Sequence, residues 1–184
     1  EGVYRWLHFL PSRTNPRMGV PNRYVGVFQD GSLKVRGLAL RRHDTPRFIW
    51  RAQNEALAIL SQARSHREYC DRLPQAQRVV DDIRDELKDG LLSFEDVAIT
   101  RSLSRSPEMY RKANHTAIVA GELAKRGVQL RPGETVQYIV TDAKNKDVNS
   151  RARAYAEINA DWTYDVKYYE EQLLVAAKEV LSVG

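Results

Sequence analysis

Cysteine is almost missing from this sequence, since Cys70 stands alone among 184 residues. One cysteine excludes an internal disulfide and a multi-cysteine zinc site, and it is typical of the reducing cytoplasm. Apolar runs are also short, because charged residues interrupt each of them below the roughly 18 residues that a membrane helix needs. The first residues show no basic or apolar segment of a signal peptide. We therefore expect a cytoplasmic protein with no membrane partner.

Motifs of catalysis are scarce as well. The sequence has no glycine-rich phosphate loop and no nucleophile elbow, and its four histidines lack the spacing of metal ligands. Cys70 has no activating neighbour in sequence, so a structural thiol is the better interpretation. A solvated helix face explains four clustered carboxylates more simply than a metal site does; they are Asp81, Asp82, Asp85 and Glu86. This chain on its own predicts no active site.

Basic and acidic segments alternate along the chain. The net charge of +5 divides into +7 over residues 1–53, −4 over 54–98, +6 over 99–153 and −4 over 154–184. Two basic segments fit a polyanionic partner, although chance also produces such an alternation.

The patterns of residues predict an α+β fold. Asp30-Gly31 lies between two short apolar stretches and predicts a tight β-hairpin, since glycine readily adopts the positive φ angle of such turns. Thr45-Pro46 predicts the N-cap and first residue of an amphipathic helix. Pro74 and Gly90 predict the limits of a second helix, and Asn114 predicts the N-cap of a third. The other expected elements are strands at residues 3–10, 24–28, 33–35, 38–42, 135–140 and 152–158, a loop at 11–21 and a helix at 165–180.

Cations and a tyrosine lie at the ends of the neighbouring predicted strands. The three clusters are Asn22-Arg23-Tyr24, Lys34-Val35-Arg36-Gly37 and Arg41-Arg42-His43-Asp44. A guanidinium such as that of Arg36 can bind a phosphate through two hydrogen bonds, and Gly37 would allow close approach of the backbone. Asp44 could orient Arg42 or begin the following helix. For these clusters, contact with phosphate is the favoured interpretation. The alternative, that they are ordinary surface charges, stays open.

In this order and spacing, the clusters resemble the family B DNA polymerases of archaea and some bacteria. That family has a Lys-Lys-x-Tyr element, a hairpin ending in Arg-Gly, and an Arg-Arg-Asp element before a long helix. The likeness continues along nearly the whole chain, at Ile99-Thr100-Arg101-Ser102-Leu103, Arg126-Gly127, Arg131-Pro132-Gly133, Tyr138-Ile139-Val140, Tyr164-Asp165 and Tyr168-Tyr169.

The resemblance implies that residues 1–44 are the C-terminal, hairpin-containing part of a polymerase palm and residues 45–184 a mainly helical thumb. It implies contacts with primer–template duplex DNA through Asn22, Arg23, Tyr24, Lys34, Arg36, Gly37, Arg42, His43, Asp44, Thr100, Arg101 and Arg131. The other implied partner is the catalytic palm, fingers and exonuclease portion, and a sliding clamp is a partner that the resemblance would allow. Nucleotidyl transfer would use Mg²⁺ held by aspartates outside this chain. The chain by itself is expected to be inactive and to bind no metal. Its expected location is the prokaryotic cytoplasm, at the nucleoid.

Two residues depart from the family pattern. Asn22 replaces a lysine and His43 replaces an arginine, so the charge assistance of those contacts is reduced. Taken as a whole, the resemblance leads us to interpret the chain as a polymerase portion, whether excised or the small subunit of a split enzyme. Two alternatives stay open: a non-catalytic DNA-binding protein from an inactivated paralogue, and an unrelated α+β enzyme for a small phosphorylated substrate.

Overall fold

The first sheet is antiparallel and contains β1 (Tyr4–Pro11), β2 (Gly19–Phe28) and β3 (Leu33–Arg36), in that order. It is seen in a computed structural model that describes residues 2–11, 18–110, 114–159 and 161–181. The predicted hairpin is confirmed, and Tyr24 pairs with Arg36 across it. Gly31 has φ +89° in the turn. The Asp30 carboxylate accepts a hydrogen bond of 2.8 Å from the Ser32 amide, which fixes the turn. Within the predicted loop at 11–21, residues 12–17 lie outside the described residues.

Gly37 ends the sheet, and the strand predicted over residues 38–42 was wrong. Gly37 has φ +73°, and a Cβ atom there would lie 2.4 Å from the carbonyl oxygen of Asn22. The chain turns away from β2 at this residue, and Ala39–Arg41 form a single 3-10 turn. Leu38 and Ala39 are both buried because they enter the core together, and they do not alternate across a sheet.

Two long helices follow, and the starts predicted for both were wrong. Helix α1 (Arg47–Leu60) begins after Pro46, because the Thr45 hydroxyl donates to the carbonyl oxygen of Ala39 at 2.6 Å instead of capping the helix. Helix α2 (His66–Lys88) begins eight residues before Pro74, at an N-cap formed by Ser65. Pro74 lies on the exposed side of this helix, whose buried side chains keep it continuous across the missing amide hydrogen bond.

The second part of the chain forms another antiparallel sheet with three helices around it. Its strands are β4 (Ile99–Ser102), β5 (Thr135–Val140) and β6 (Ala152–Ala154), and its helices are α3 (Phe94–Val97), α4 (His115–Lys125) and α5 (Val166–Leu181). The predicted Asn114 cap is confirmed by a 2.8 Å hydrogen bond from the Ala117 amide. The strand predicted over 152–158 stops at Ala154, where Tyr155–Glu157 turn into a 3-10 helix. The described residues thus form a mixed α and β fold.

Helices α1 and α5 join two hydrophobic cores. One core contains Phe48 and Ile49 of α1 with Tyr169 and Leu173 of α5, against the second sheet. The other contains the later α1 residues, with Leu57 and Leu60 among them, the first sheet and Val180 of α5. Both helices therefore pack against the first sheet, which precedes residue 44, and against the second sheet, which follows it. The predicted division of the chain near residue 44 stays a prediction. No helix in the described ranges is long and apolar enough to cross a membrane.

Replacing Gly37 tests the turn that ends the first sheet. We expect Gly37→Ala to lower the free energy of unfolding by about 2–5 kcal/mol, because it adds left-handed backbone strain and a backbone clash. Gly31→Ala is the matched control, since φ there is also positive (+89°) but no heavy atom lies within 4 Å of the new Cβ. It should cost only the strain, about 1–2 kcal/mol. Urea denaturation measures both, and equal losses would contradict the role of the clash.

Candidate nucleic-acid interface

The first sheet presents cations on its outer face. Lys34 and Arg36 lie two residues apart on β3, so their side chains share one face, and both are exposed. Tyr24 lies opposite Arg36 on β2, and its ring packs edge-on against Phe9, with the centroids 6.0 Å apart. Among the described residues, neither the Lys34 nor the Arg36 side chain has a hydrogen-bond or ion-pair partner. Both side chains are therefore available to an external anion.

The environment of Arg23 differs from that of Tyr24, although the two residues were predicted in the same cluster. Its Nη2 atom lies 3.1 Å from Oε1 of Glu179, and its side chain is only 16% exposed. Its Nε donates weakly to the Gly37 carbonyl at 3.4 Å. Arg23 thus connects β2 to helix α5 inside the protein. Its neighbour Asn22 is exposed.

Glu179 is the centre of a buried polar network. Its Oε2 accepts hydrogen bonds from the Ala39 amide at 2.8 Å and from Gln53 Nε2 at 3.2 Å. Arg42 Nη2 lies 3.9 Å from its Oε1. Gln53 is itself buried, accepts from the Leu40 amide at 2.7 Å and donates to the Ala176 carbonyl at 2.7 Å. The network therefore fixes the 3-10 turn of Ala39–Arg41 against α1 and α5.

A cleft of about 390 Å³ opens between this turn and the second sheet. Arg101 of β4 and Asp44 meet there: Nε and Nη2 of Arg101 donate to one carboxylate oxygen of Asp44 at 3.0 and 2.7 Å. The expectation that Asp44 orients Arg42 or begins the helix gives way to this pair. The polar side chains that line the cleft are Arg42, Asp44, Thr45, Arg101, Asn114, His115, Thr116, Tyr138, Tyr168 and Gln172.

The protonation of the cleft side chains follows from their surroundings. The hydrogen bond with Asp44 raises the pKa of Arg101 further above its ordinary value. Burial lowers the pKa of His115, and the nearby Arg151 and Arg101 lower it as well. Burial raises the pKa of Tyr168 to about 12 and also raises that of Tyr138. At neutral pH the cleft therefore offers two guanidinium cations, a neutral imidazole and protonated phenols that can donate hydrogen bonds.

The remaining predicted contacts lie outside the cleft. Thr100 is half-buried on β4 and pairs with Gln137, whereas His43 is exposed. Arg131 lies in the turn before β5, where its amide donates to the Glu134 carboxylate at 2.7 Å and its side chain is exposed. Gly37 lies close to the β2 backbone, so packing within the protein explains its positive φ angle. The structure does not bring these four residues together.

Sequence reasoning missed the residues that hold the predicted ones in place. Glu179 lies four residues after Val175, and Tyr168, Gln172 and Val175 line the cleft at helical spacing. Gln53 lies in the middle of the apolar stripe of α1. For Gln53 the available signal was a single polar residue on an otherwise apolar helix face, because such a residue needs a hydrogen-bond partner. Glu179 had no comparable signal, since the exposed Gln172 and Val175 share its face of α5.

The Asp44–Arg101 pair should contribute modestly to stability. Because Asp44 is 32% exposed and Arg101 53% exposed, we expect a double-mutant cycle of Asp44→Ala and Arg101→Ala to give a coupling of about 0.5–1 kcal/mol. The control cycle uses Arg47 and Glu95, which form an ion pair with both side chains more than half exposed. Its coupling should be about 0–0.5 kcal/mol. Urea denaturation of each set measures this, and equal couplings would contradict the expectation.

Comparison with known proteins identifies the family. A model of DNA polymerase family B matches residues 20–183. The DNA polymerase of Desulfurococcus sp. (strain Tok) is 28% identical over 184 residues, which cover 98% of this chain and 22% of that protein. The DNA polymerase of Thermococcus kodakarensis is 27% identical over 183 residues, which cover 98% of this chain and 10% of that protein.

A solved structure shows the same fold. The family B DNA polymerase from the hyperthermophilic archaeon Pyrobaculum calidifontis superposes with a TM-score of 0.71 at 23% identity, over 92% of this chain and 21% of that one. The chain thus spans about a fifth or less of the length of these three relatives. Since the family model covers most of the chain, the resemblance in sequence is confirmed at the level of the family. This protein belongs to DNA polymerase family B and matches one part of its relatives.

Proposed function

We propose that this chain is the palm-end and thumb portion of a family B DNA polymerase, and that it binds primer–template duplex DNA for a catalytic palm outside the chain. The observation that carries the proposal is the cleft, which gathers Arg42 from the first basic segment and Arg101 from the second. Charges that are distant in sequence can thus act on one anionic partner. A duplex, with its regular phosphates, is such a partner.

The cleft arginines are suited to phosphate contacts. Asp44 engages Nε and Nη2 of Arg101, and a guanidinium has further N–H groups that can face a ligand. Arg42 is 48% exposed beside its internal partner Glu179. Arg101, held by Asp44, and Arg42, beside Glu179, can contact a duplex backbone without reading its sequence. This is the role that we assign to the cleft.

The outer face of the first sheet supplies a second group of contacts. Lys34 and Arg36 are exposed there, with Tyr24 opposite Arg36. A cation beside a tyrosine hydroxyl can bind a phosphate or sugar oxygen. Asn22, where the family pattern has lysine, would contribute a hydrogen bond without a charge.

Mg²⁺ for nucleotidyl transfer would be held by carboxylates outside this chain. In the part of the chain that the structure describes, no three His, Cys, Asp or Glu side chains are grouped to hold a metal ion. Asp44, the carboxylate in the cleft, is already bonded to Arg101. The described residues do not fit such a metal, and the contribution that we propose for this chain is to hold the duplex.

Binding to a fluorescent primer–template duplex across salt concentrations tests the proposal. We expect the logarithm of the affinity to fall linearly with the logarithm of the salt concentration. Arg36→Ala and Arg42→Ala should each weaken binding alike for all sequences and lower the slope by about one, because each removes a phosphate contact. Arg78→Ala, at an exposed residue of α2 in the acidic segment, changes the net charge equally and should leave the slope unchanged.

Absence of duplex binding at low salt, together with salt-insensitive binding of a small phosphorylated ligand, would contradict the proposal and favour the unrelated enzyme. Given duplex binding, adding a polypeptide that contains the palm and fingers of the same polymerase should restore primer extension. If the two polypeptides associate and no extension follows, the chain is better explained as a non-catalytic DNA-binding protein from an inactivated paralogue.

A further inference from the structure

Glu179 lies directly behind the wall of the cleft. It is 7% exposed and follows Val175 by four residues on α5, on the helix face that carries Tyr168 and Gln172 into the cleft. A carboxylate at such a depth has lost most of its hydration and must be compensated by protein donors. The groups that surround the Glu179 carboxylate therefore indicate its role.

Three of those groups come from two of the three clusters predicted to contact DNA and from the turn between these two. Arg23 of β2 approaches Oε1 at 3.1 Å, and Arg42 approaches the same oxygen at 3.9 Å. The Ala39 amide, at the start of the turn that carries Arg42, donates to Oε2 at 2.8 Å. One carboxylate thus hydrogen-bonds the backbone three residues before Arg42 and lies within ion-pair distance of the Arg42 guanidinium.

Glu179 is held in turn by a neutral partner. Gln53 Nε2 donates to its Oε2 at 3.2 Å, while Gln53 also bonds the Leu40 amide and the Ala176 carbonyl. The carboxylate is thus supported by α1 and carried by α5, and these helices pack on each other. Its position is set by the core, whereas Arg42 projects from a short turn.

We propose that Glu179 is a positioning residue for DNA binding, which holds Arg42 in the orientation that faces the cleft. This inference rests on the proposed function of the chain. Glu179 does not touch the duplex; it acts through Arg42 and through the turn of Ala39–Arg41. The acidic residue therefore favours the binding of a polyanion, although its own charge opposes it.

The charge of Glu179 and its positioning role affect duplex binding in opposite directions, so a substitution of Glu179 distinguishes them. Removing a negative charge about 10 Å from a phosphate should strengthen duplex binding by about twofold if only the charge matters. Loss of positioning predicts the reverse, because a mobile Arg42 must be ordered on binding and its phosphate contact weakens. We expect Glu179→Gln to bind the duplex about three- to tenfold more weakly, with a salt slope lower by up to about one.

Glu170→Gln is the matched control on the same helix. Glu170 pairs with Arg84 and with Lys88, the latter at 3.0 Å, and it does not line the cleft. The two substitutions change the net charge equally, so the control should bind the duplex as well as the unchanged chain or slightly better. The Glu179→Gln and Arg42→Ala double variant should bind no more weakly than Arg42→Ala alone, since both changes remove the same contact.

Glu179→Asp separates geometry from charge if Glu179→Gln does not fold, as judged by circular dichroism. It keeps the charge but withdraws the carboxylate by one methylene group, and we expect weaker duplex binding. Binding as tight as that of the unchanged chain by Glu179→Asp, or tighter binding by Glu179→Gln, would overturn this inference and leave the proposed function intact. No duplex binding by the unchanged chain would overturn both.

Discussion

The buried carboxylate of Glu179 is the constraint on which the arrangement of the arginines depends. A charge that is 7% exposed is stable only when surrounded by donors. Here they come from β2, the 3-10 turn and α1: Arg23, the Ala39 amide and Gln53. Removing one partner of such a buried pair typically costs about 3–5 kcal/mol, because the other charge stays behind unpaired. The orientation of Arg23 and the path of the chain at Ala39 are therefore consequences of one residue near the end of the described chain.

The same network sets the shape of the cleft. Gln53 belongs to an apolar stripe, yet it bonds the Leu40 amide on one side and the Ala176 carbonyl on the other. Because α1 and α5 each contribute to both hydrophobic cores, the turn that bonds Gln53 and Glu179 is fixed relative to both sheets. Asp44 then meets Arg101 across the cleft at 2.7 Å. The buried Gln53 and Glu179 side chains thus help to position Asp44 and Arg101, which lie 57 residues apart in the sequence.

Local signals in the sequence predicted what local physics decides. Asp30-Gly31 predicted the hairpin, and Asn114 predicted a helix cap, because a turn and a cap need only nearby residues. Thr45 and Pro74 misled because tertiary contacts prevailed: the Thr45 hydroxyl bonds Ala39, and the packed face of α2 tolerates a proline. The clusters around Arg42 and Arg101 were predicted separately. Their meeting through Asp44 depends on two cores joined by helices, which no short pattern contains.

The cations predicted to contact DNA thus divide according to their carboxylate partners. Arg23, Arg42 and Arg101 each face a carboxylate, so part of their charge is neutralised, and hydrogen bonds fix the orientation of Arg23 and Arg101. Lys34 and Arg36 have no such partner among the described residues. Exposed, unpaired cations supply long-range attraction that salt screens, whereas fixed guanidinium groups supply geometry. A chain with both kinds of cation can attract a duplex through the sheet face and set its position through the cleft, as the proposed binding of DNA without reading its sequence requires.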